Sequence, residues 1–273
     1  TRLGCVWSVV QIHSSRPFPF HAVTVILLTN DDGIEAEGLM TLERSLRDLA
    51  RIVVVAPDRE RSAVSHGLTI HSPIDVRVCG EDRYALNGTP ADCIIYALEH
   101  LFSVFPDLVL SGINHGANLG DDIMYSGTVA AAREASRHGI PSMAVSQAYD
   151  DRPIRFKDAG DFTRDLVASM LENGLGGELC LNVNFPVRKI RGMKITRQGC
   201  ARNIPHFNSL DDDAGFNALP ESPGTAQEPD LWSDRKAIIN QYVSVTPLKR
   251  DQTDYAAVRL LAGEALALLS KKA

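Results

Sequence analysis

The stretch LLTNDDGIEAEG, residues 27–38, decides the reading of the fold. It closes an apolar run, rich in Val, Ile and Leu, that extends from Val23 to Leu28. A run that is apolar at every position reads as a strand buried on both faces, as in a parallel sheet. Asn30, Asp31, Asp32 and Gly33 then break it. Neighbouring side chains in a strand point to opposite faces. Two adjacent carboxylates converge on one point only where the backbone leaves the strand, and Gly33 permits that bend. Two anions held together repel, and one tends to keep its proton unless a cation sits between them. A hard divalent metal ion relieves that conflict. The plainer alternative is a solvated Asp32-Gly33 turn in which Asp31 caps a helix. The residues themselves leave both open.

The same alternation of apolar run and amphipathic segment continues outward. Leu39, Leu42, Leu46 and Leu49 stand at helical spacing with charges between them. RIVVVAP (51–57) reads as a second buried strand stopped by its proline. TIHSPIDVRV (69–78) and RYALN (83–87) read as a β-hairpin around Gly80-Glu81-Asp82. Thr89 followed by Pro90 opens a capped helix. PDLVLSG, IPSMAVSQ and CLNVNFP supply three more buried strands, separated by the helical segments TVAAAREASRHG and FKDAGDFTRDLVASMLENG. AIINQYVSVTPL reads as a strand and DYAAVRLLAGEALALLS as a closing amphipathic helix. Strand–helix alternation of this kind predicts an α/β fold, a mainly parallel sheet with helices on both faces. Residues 23–272 form one such domain in this reading, with the closing helix at 253–270. Residues 1–22 read as a leader outside the fold. Residues 188–235, rich in Pro, Asn, Asp and Gly, read as an irregular C-terminal excursion.

Composition narrows the function classes. The chain has 273 residues, 44% hydrophobic and 23% charged, with a net charge of -6 and no basic run, which argues against a nucleic-acid polymer as partner. No apolar stretch approaches the roughly 20 residues that span a bilayer, so no membrane partner is expected. The five cysteines (Cys5, Cys79, Cys93, Cys180, Cys200) form no Cys-x-x-Cys pair. They fit a reducing cytoplasm rather than a disulfide scaffold or a structural zinc.

In open α/β sheets ligands bind beyond the carboxyl ends of the strands. Three polar loops leave such ends: Asn30–Gly33, Asp58–Gly67 and Gly112–Gly127. In the third, Gly112, Gly116 and Gly120 recur every four residues among Asn114, Asn118, Asp121 and Asp122. Glycines there let the backbone approach a ligand and expose N–H groups. Ser126-Gly127-Thr128 opens the next helix, and a helix N-terminus with a hydroxyl is suited to phosphate. Neither the dinucleotide fingerprint nor the Walker loop is present. The alternative is a surface loop followed by an ordinary capped helix. Ser62 and His66 lie in the second loop, where a solvated serine is the ordinary reading. The eight histidines form no His-x-x-x-His or His-Glu-x-x-His pattern, which removes support for a zinc hydrolase. His115 has no neighbour in sequence that would fix it as a base.

Taken together, ILLTNDDGIEAEG, VVVAPDRERSAVSHGLTI, NGTPADC, DLVLSGINHGANLGDDIMYSGTVAAAREA, LNVNFP and YVSVTPL resemble the signature blocks of the SurE family, the survival-protein nucleotidases, in the family's order. The resemblance implies a Rossmann-like α/β fold and a metal-dependent phosphatase of nucleoside 5′- and 3′-monophosphates, in some members also of polyphosphate. It implies one divalent ion per subunit (Mg, Mn or similar), held by Asp31, Asp32, Ser62 and Asn114. Asn118 with Ser126, Gly127 and Thr128 would hold the phosphate, and Asp31, Asp32 and Asn118 would serve catalysis. It further implies a homodimer or homotetramer, with subunit contacts in 188–250 and C-terminal elements exchanged between subunits. The family usually shows a glycine where Gln241 stands, and some members a histidine where Tyr255 stands. Residues 1–22 and 200–235 have little counterpart. Two rival readings are a non-catalytic nucleotide-binding protein and a phosphoaspartyl phosphatase, whose usual Asp-x-Asp spacing is absent.

Overall fold

The computed structural model describes residues 23–174, 178–187, 189–199 and 231–270. The leader 1–22 and residues 200–230 of the irregular excursion lie outside the described residues. A nine-stranded sheet is formed by β1 (Val25–Thr29), β2 (Arg51–Pro57), β3 (Val76–Gly80), β4 (Arg83–Leu86), β5 (Leu108–His115), β6 (Ser142–Gln147), β7 (Cys180–Phe185), β8 (Met193–Ile195) and β9 (Val243–Leu248), in the order β3-β4-β2-β1-β5-β6-β7-β9-β8. The six strands from β4 to β7 run parallel. β3 and β9 pair antiparallel with β4 and β7, and β8 runs parallel to β9.

The helices are α1 (Glu37–Leu46), α2 (Pro90–His100), α3 (Gly127–Arg137), α4 (Lys157–Asn173), α5 (Asp234–Ile239) and α6 (Tyr255–Ser270). The period-2 alternation of the strands divides the core in two. Ile26, Leu28, Val54, Ala56, Leu108 and Leu110 point to a layer filled by Leu39, Leu42 and Leu46 of α1 and Val167 and Met170 of α4. Val25, Leu27, Val53, Val55 and Val109 point to the opposite layer, filled by Ile94, Ala97 and Leu98 of α2 and Ala131 and Ala135 of α3. Both faces are covered, which is why these strands are apolar at every position. No helix among the described residues is long and apolar enough to cross a membrane.

Three details depart from the sequence reading. The first hairpin strand begins only at Val76, because the backbone from Thr69 to Asp75 is drawn elsewhere. Thr69 N–H donates to the Asp92 carboxylate (3.1 Å) and Asp75 N–H to Asn87 Oδ1 (2.9 Å), while Pro73 has no N–H for a ladder. AII (237–239) belongs to α5 rather than to the following strand. Ser233 Oγ accepts the Lys236 N–H (3.1 Å) and starts a helical turn upstream of it. β5 runs on to His115, past an irregularity in its register with β6 between Ser111 and Asn114. That extension carries Asn114 and His115 to the carboxyl edge of the sheet.

Candidate active site

The carboxyl ends of β1, β2, β5 and β6 meet at one edge, and the loops that leave them build the site. Asn30 organises the first. Its side chain donates to Gly33 O (2.9 Å) and accepts from Gly33 N–H (3.2 Å), closing a turn that side-chain amides make readily. Gly33 holds φ +104°, and a Cβ there would lie 3.1 Å from the Arg59 backbone. This bend presents Asp31 and Asp32 to different neighbours.

Asp31 points down onto the start of α3. Its Oδ2 accepts the Thr128 N–H at 3.0 Å, and Oδ1 accepts the Thr128 hydroxyl. A Cβ on Gly127 would sit 3.0 Å from Asp31 Oδ2, so Gly127 is what allows the carboxylate to reach the helix end. Ser126 Oγ caps the same helix by accepting the Val129 N–H (3.1 Å). Asp31 is only 4% exposed. Burial pushes its carboxyl up to about 6 against the opposing Thr128 bonds, and the Asp32 charge adds to the rise. Asp32 is half-buried and accepts the His115 N–H at 3.0 Å through Oδ2. Burial raises its pKa as well; the His115 bond and ring oppose the rise and Glu60 adds to it. The two carboxylates are thus fixed by donors from two separate elements, α3 and the end of β5.

The loop after β2 closes over this pair. Arg61 N–H donates to Asp31 O (2.7 Å) and Ser65 N–H to Tyr125 O (3.0 Å). Gly67 O accepts the Thr89 hydroxyl (2.8 Å). His66 Nε2 lies 2.9 Å from Oε2 of Glu134, a buried carboxylate of α3. Burial alone would raise the Glu134 pKa, but bonds from His66 and Arg137 hold it down to about 2. Ala63 and Ser65 adopt φ of 56° and 53°, a conformation that persists when the surroundings over-determine it. Those four anchors do so here. Ser62, exposed on this loop, donates to Glu60 Oε1 (2.7 Å). Asn114 donates its amide to Gly116 O (2.8 Å), leaving its oxygen as the other branch of the side chain.

Asn118 sits deeper. It is buried, its Nδ2 donates to Ser146 Oγ (2.8 Å), and its backbone is locked to Asn182 and Asn184 of β7. Thr128 has both its N–H and its hydroxyl on Asp31. Of the residues expected at phosphate, Ser126 and Gly127 stand at the helix N-terminus, while Asn118 and Thr128 are committed to internal bonds.

The donor set suits a hard divalent ion. Among the described residues, no Lys or Arg forms an ion pair with Asp31 or Asp32, although both are buried enough to have raised pKa values. Among the described residues, no three His, Cys, Asp or Glu side chains converge there. An ion at this place would rest on two carboxylates and neutral oxygens, a set of the kind that hard divalent cations take. Sequence reading missed Glu134, Glu60 and Tyr149. Glu134 carries a weak signal, a lone acid in the alanine-rich TVAAAREAS segment, but its pairing with His66 spans 68 residues.

The chain is therefore an α/β protein with an acidic, oxygen-rich site at the carboxyl ends of parallel strands. Residues 26–204 match the family model described as Survival protein SurE, and the chain belongs to that family. It is 44% identical over 240 residues to the 5′-nucleotidase SurE of Pelobacter propionicus, covering 86% of this chain and 97% of the relative. It is 44% identical to the 5′-nucleotidase SurE of Vibrio cholerae serotype O1, covering 86% and 94%. The crystal structure of the SurE protein from Aquifex aeolicus superposes with a TM-score of 0.73 at 40% identity, covering 86% of this chain and 97% of that one.

Proposed function

We propose that this protein is a divalent-metal-dependent phosphomonoesterase that hydrolyses nucleoside 5′-monophosphates to nucleoside and phosphate. The 3′-monophosphates and polyphosphate extend the same proposal. The observation that carries it is the pair Asp31–Asp32, two neighbouring carboxylates held by separate backbone donors, with no Lys or Arg ion-paired to either among the described residues. Relatives named 5′-nucleotidase SurE, similar over most of the chain, support the substrate class.

Asp31 and Asp32, with Ser62 and Asn114, would hold one metal ion. Such an ion supplies Lewis acidity and a bound water of lowered pKa. The N-terminus of α3 at Ser126 and Gly127 offers an anion its helix dipole and N–H groups. Asp31 is oriented by Thr128 at both oxygens, so its part is to hold. Asp32 Oδ1 takes no described hydrogen bond and is the better acceptor for the proton of an attacking water. Asn118 steadies the glycine loop against β6 and β7.

The phosphoaspartyl alternative needs an open nucleophilic oxygen, whereas Asp31 is 4% exposed with both oxygens bonded. Exposed apolar residues on α6 (Tyr255, Val258, Leu260, Leu261) support association with further copies of the chain, as a dimer or tetramer. A cytoplasmic location is part of the proposal. The test is phosphate release from a panel of nucleoside monophosphates, first with EDTA and then with Mn or Mg restored. Activity that vanishes and returns is expected. Nucleotide binding without release under any metal would favour a non-catalytic binder.

A further inference from the structure

Beside the acidic pair stands a stacked couple of rings that the chemistry above does not use. His115 is exposed, and its backbone N–H is the donor to Asp32 Oδ2 at 3.0 Å. Its imidazole lies against Tyr149, with ring centroids 4.7 Å apart and planes inclined by 34°. Tyr149 follows β6 and is 56% exposed. The backbone is shaped to bring the rings together. Gly116 takes φ +119°, its N–H donates to Gln147 O (3.0 Å), and a Cβ there would lie 3.5 Å from Tyr149 Cε1. The ring of Tyr149 therefore lies over Gly116 within ordinary van der Waals range of its backbone. Tyr149 also lines a hollow of 460 Å³ together with Gln147, Arg152 and Pro186.

We propose that His115 and Tyr149 form a stacking platform for the nucleobase of the substrate. The inference rests on the phosphomonoesterase reading for the place of the phosphate, since the platform is joined to Asp32 through a single backbone bond. Flat rings with an exposed face bind any base by stacking, with modest selectivity. The platform thus accepts nucleosides of every base and favours the larger purines. It also separates nucleotides from phosphate esters that carry no ring.

The test compares wild type with Tyr149→Ala and Tyr149→Phe. Steady-state kinetics on AMP and on glycerol 2-phosphate give the ratio of the two kcat/KM values. Tyr149→Ala is expected to lower that ratio about tenfold, equivalent to about 1.4 kcal/mol, mainly through KM for AMP. Tyr149→Phe keeps the ring and is expected to keep the ratio. Calorimetric titration with adenosine, which has no phosphate, gives a readout independent of turnover, and its Kd should weaken about tenfold in Tyr149→Ala only. A ratio left unchanged, with both substrates impaired in parallel, overturns the platform, as does wild type that binds no adenosine. Wild type that binds adenosine through Tyr149 yet releases no phosphate from any ester supports the platform and refutes the phosphomonoesterase reading instead.

Discussion

Replacing Asp31 by Asn should stabilise the metal-free protein, and metal should bring wild type back to about the stability of the variant. Asparagine has the shape of aspartate. Its oxygen can accept the Thr128 N–H and its amide can donate to the Thr128 hydroxyl, so the local packing is kept. What disappears is a charge that the site holds at a cost. The Asp31 carboxyl is raised from its ordinary 3.8 to about 6. A carboxyl with a raised folded pKa binds its proton more tightly in the native state, so its contribution to stability falls as pH rises from about 4 to about 6. Above that window the cost is complete, about 3 kcal/mol. Asp31→Asn should therefore exceed metal-free wild type by about 1 kcal/mol at pH 4.5 and by about 3 kcal/mol at pH 8. Metal at a hundred times its Kd would return about 2.7 kcal/mol to wild type and far less to the variant. The assay is urea unfolding at both pH values, with EDTA and with Mn. Parallel pH profiles for the two proteins in EDTA would refute the reasoning, because Asp31 would then ionise in the fold as it does in the unfolded chain.

Four further outcomes are expected. Gln241→Gly should raise the urea midpoint by the equivalent of about 1 kcal/mol. Gln241 holds φ +67° and buries an Oε1 without a partner among the described residues, and both costs, about 1–2 kcal/mol each, outweigh the extra chain entropy of glycine. Glu134→Gln should cost about 2 kcal/mol at pH 7 once the half-exposed Arg137 is discounted. Because bonds hold the Glu134 carboxyl down to about 2, that difference should narrow as pH falls below its ordinary 4.5, read by the same unfolding assay. Gly38→Ala should abolish soluble protein or cost on the order of 3 kcal/mol, since its Cβ would lie 1.9 Å from Ile113 O. Asp32→Asn should remove most phosphate release while leaving the circular dichroism spectrum intact; retained activity would exclude it from the site.

The parallel strands were legible because burial on both faces leaves a continuous apolar run, visible in VILLT and IVVVA without any partner in view. The Thr89–Pro90 cap was legible because a cap is local. The misread segments share one property, a partner outside the segment itself. Thr69 leaves the hairpin for Asp92, 23 residues away. Apolar AII joins a helix because Ser233 starts that helix upstream. Asp31, Asp32 and Ser62 were visible as residue types, and Ser62 gained a role only from the family pattern. What no local pattern holds is the set of contacts that orient them: Thr128 on Asp31 across 97 residues and His115 on Asp32 across 83.

Those two contacts explain why the acidic pair sits at this edge of the sheet and why adjacent aspartates can serve one centre. An isolated Asp-Asp turn would let its carboxylates swing apart into water. Here the chain leaves β1 at Asn30, and each carboxylate meets a donor delivered by a different element, α3 for Asp31 and the end of β5 for Asp32. α3 crosses beneath Asp31 because Gly127 leaves room for it, and β5 carries His115 past Asp32 because it runs on beyond Ser111. Moving either element would release one carboxylate and leave the other buried alone. The geometry of the site is therefore a property of the β1-β5 pairing and of α3, and substitutions that shift α3 or β5, such as Gly127→Ala, should lose metal affinity before they lose the fold.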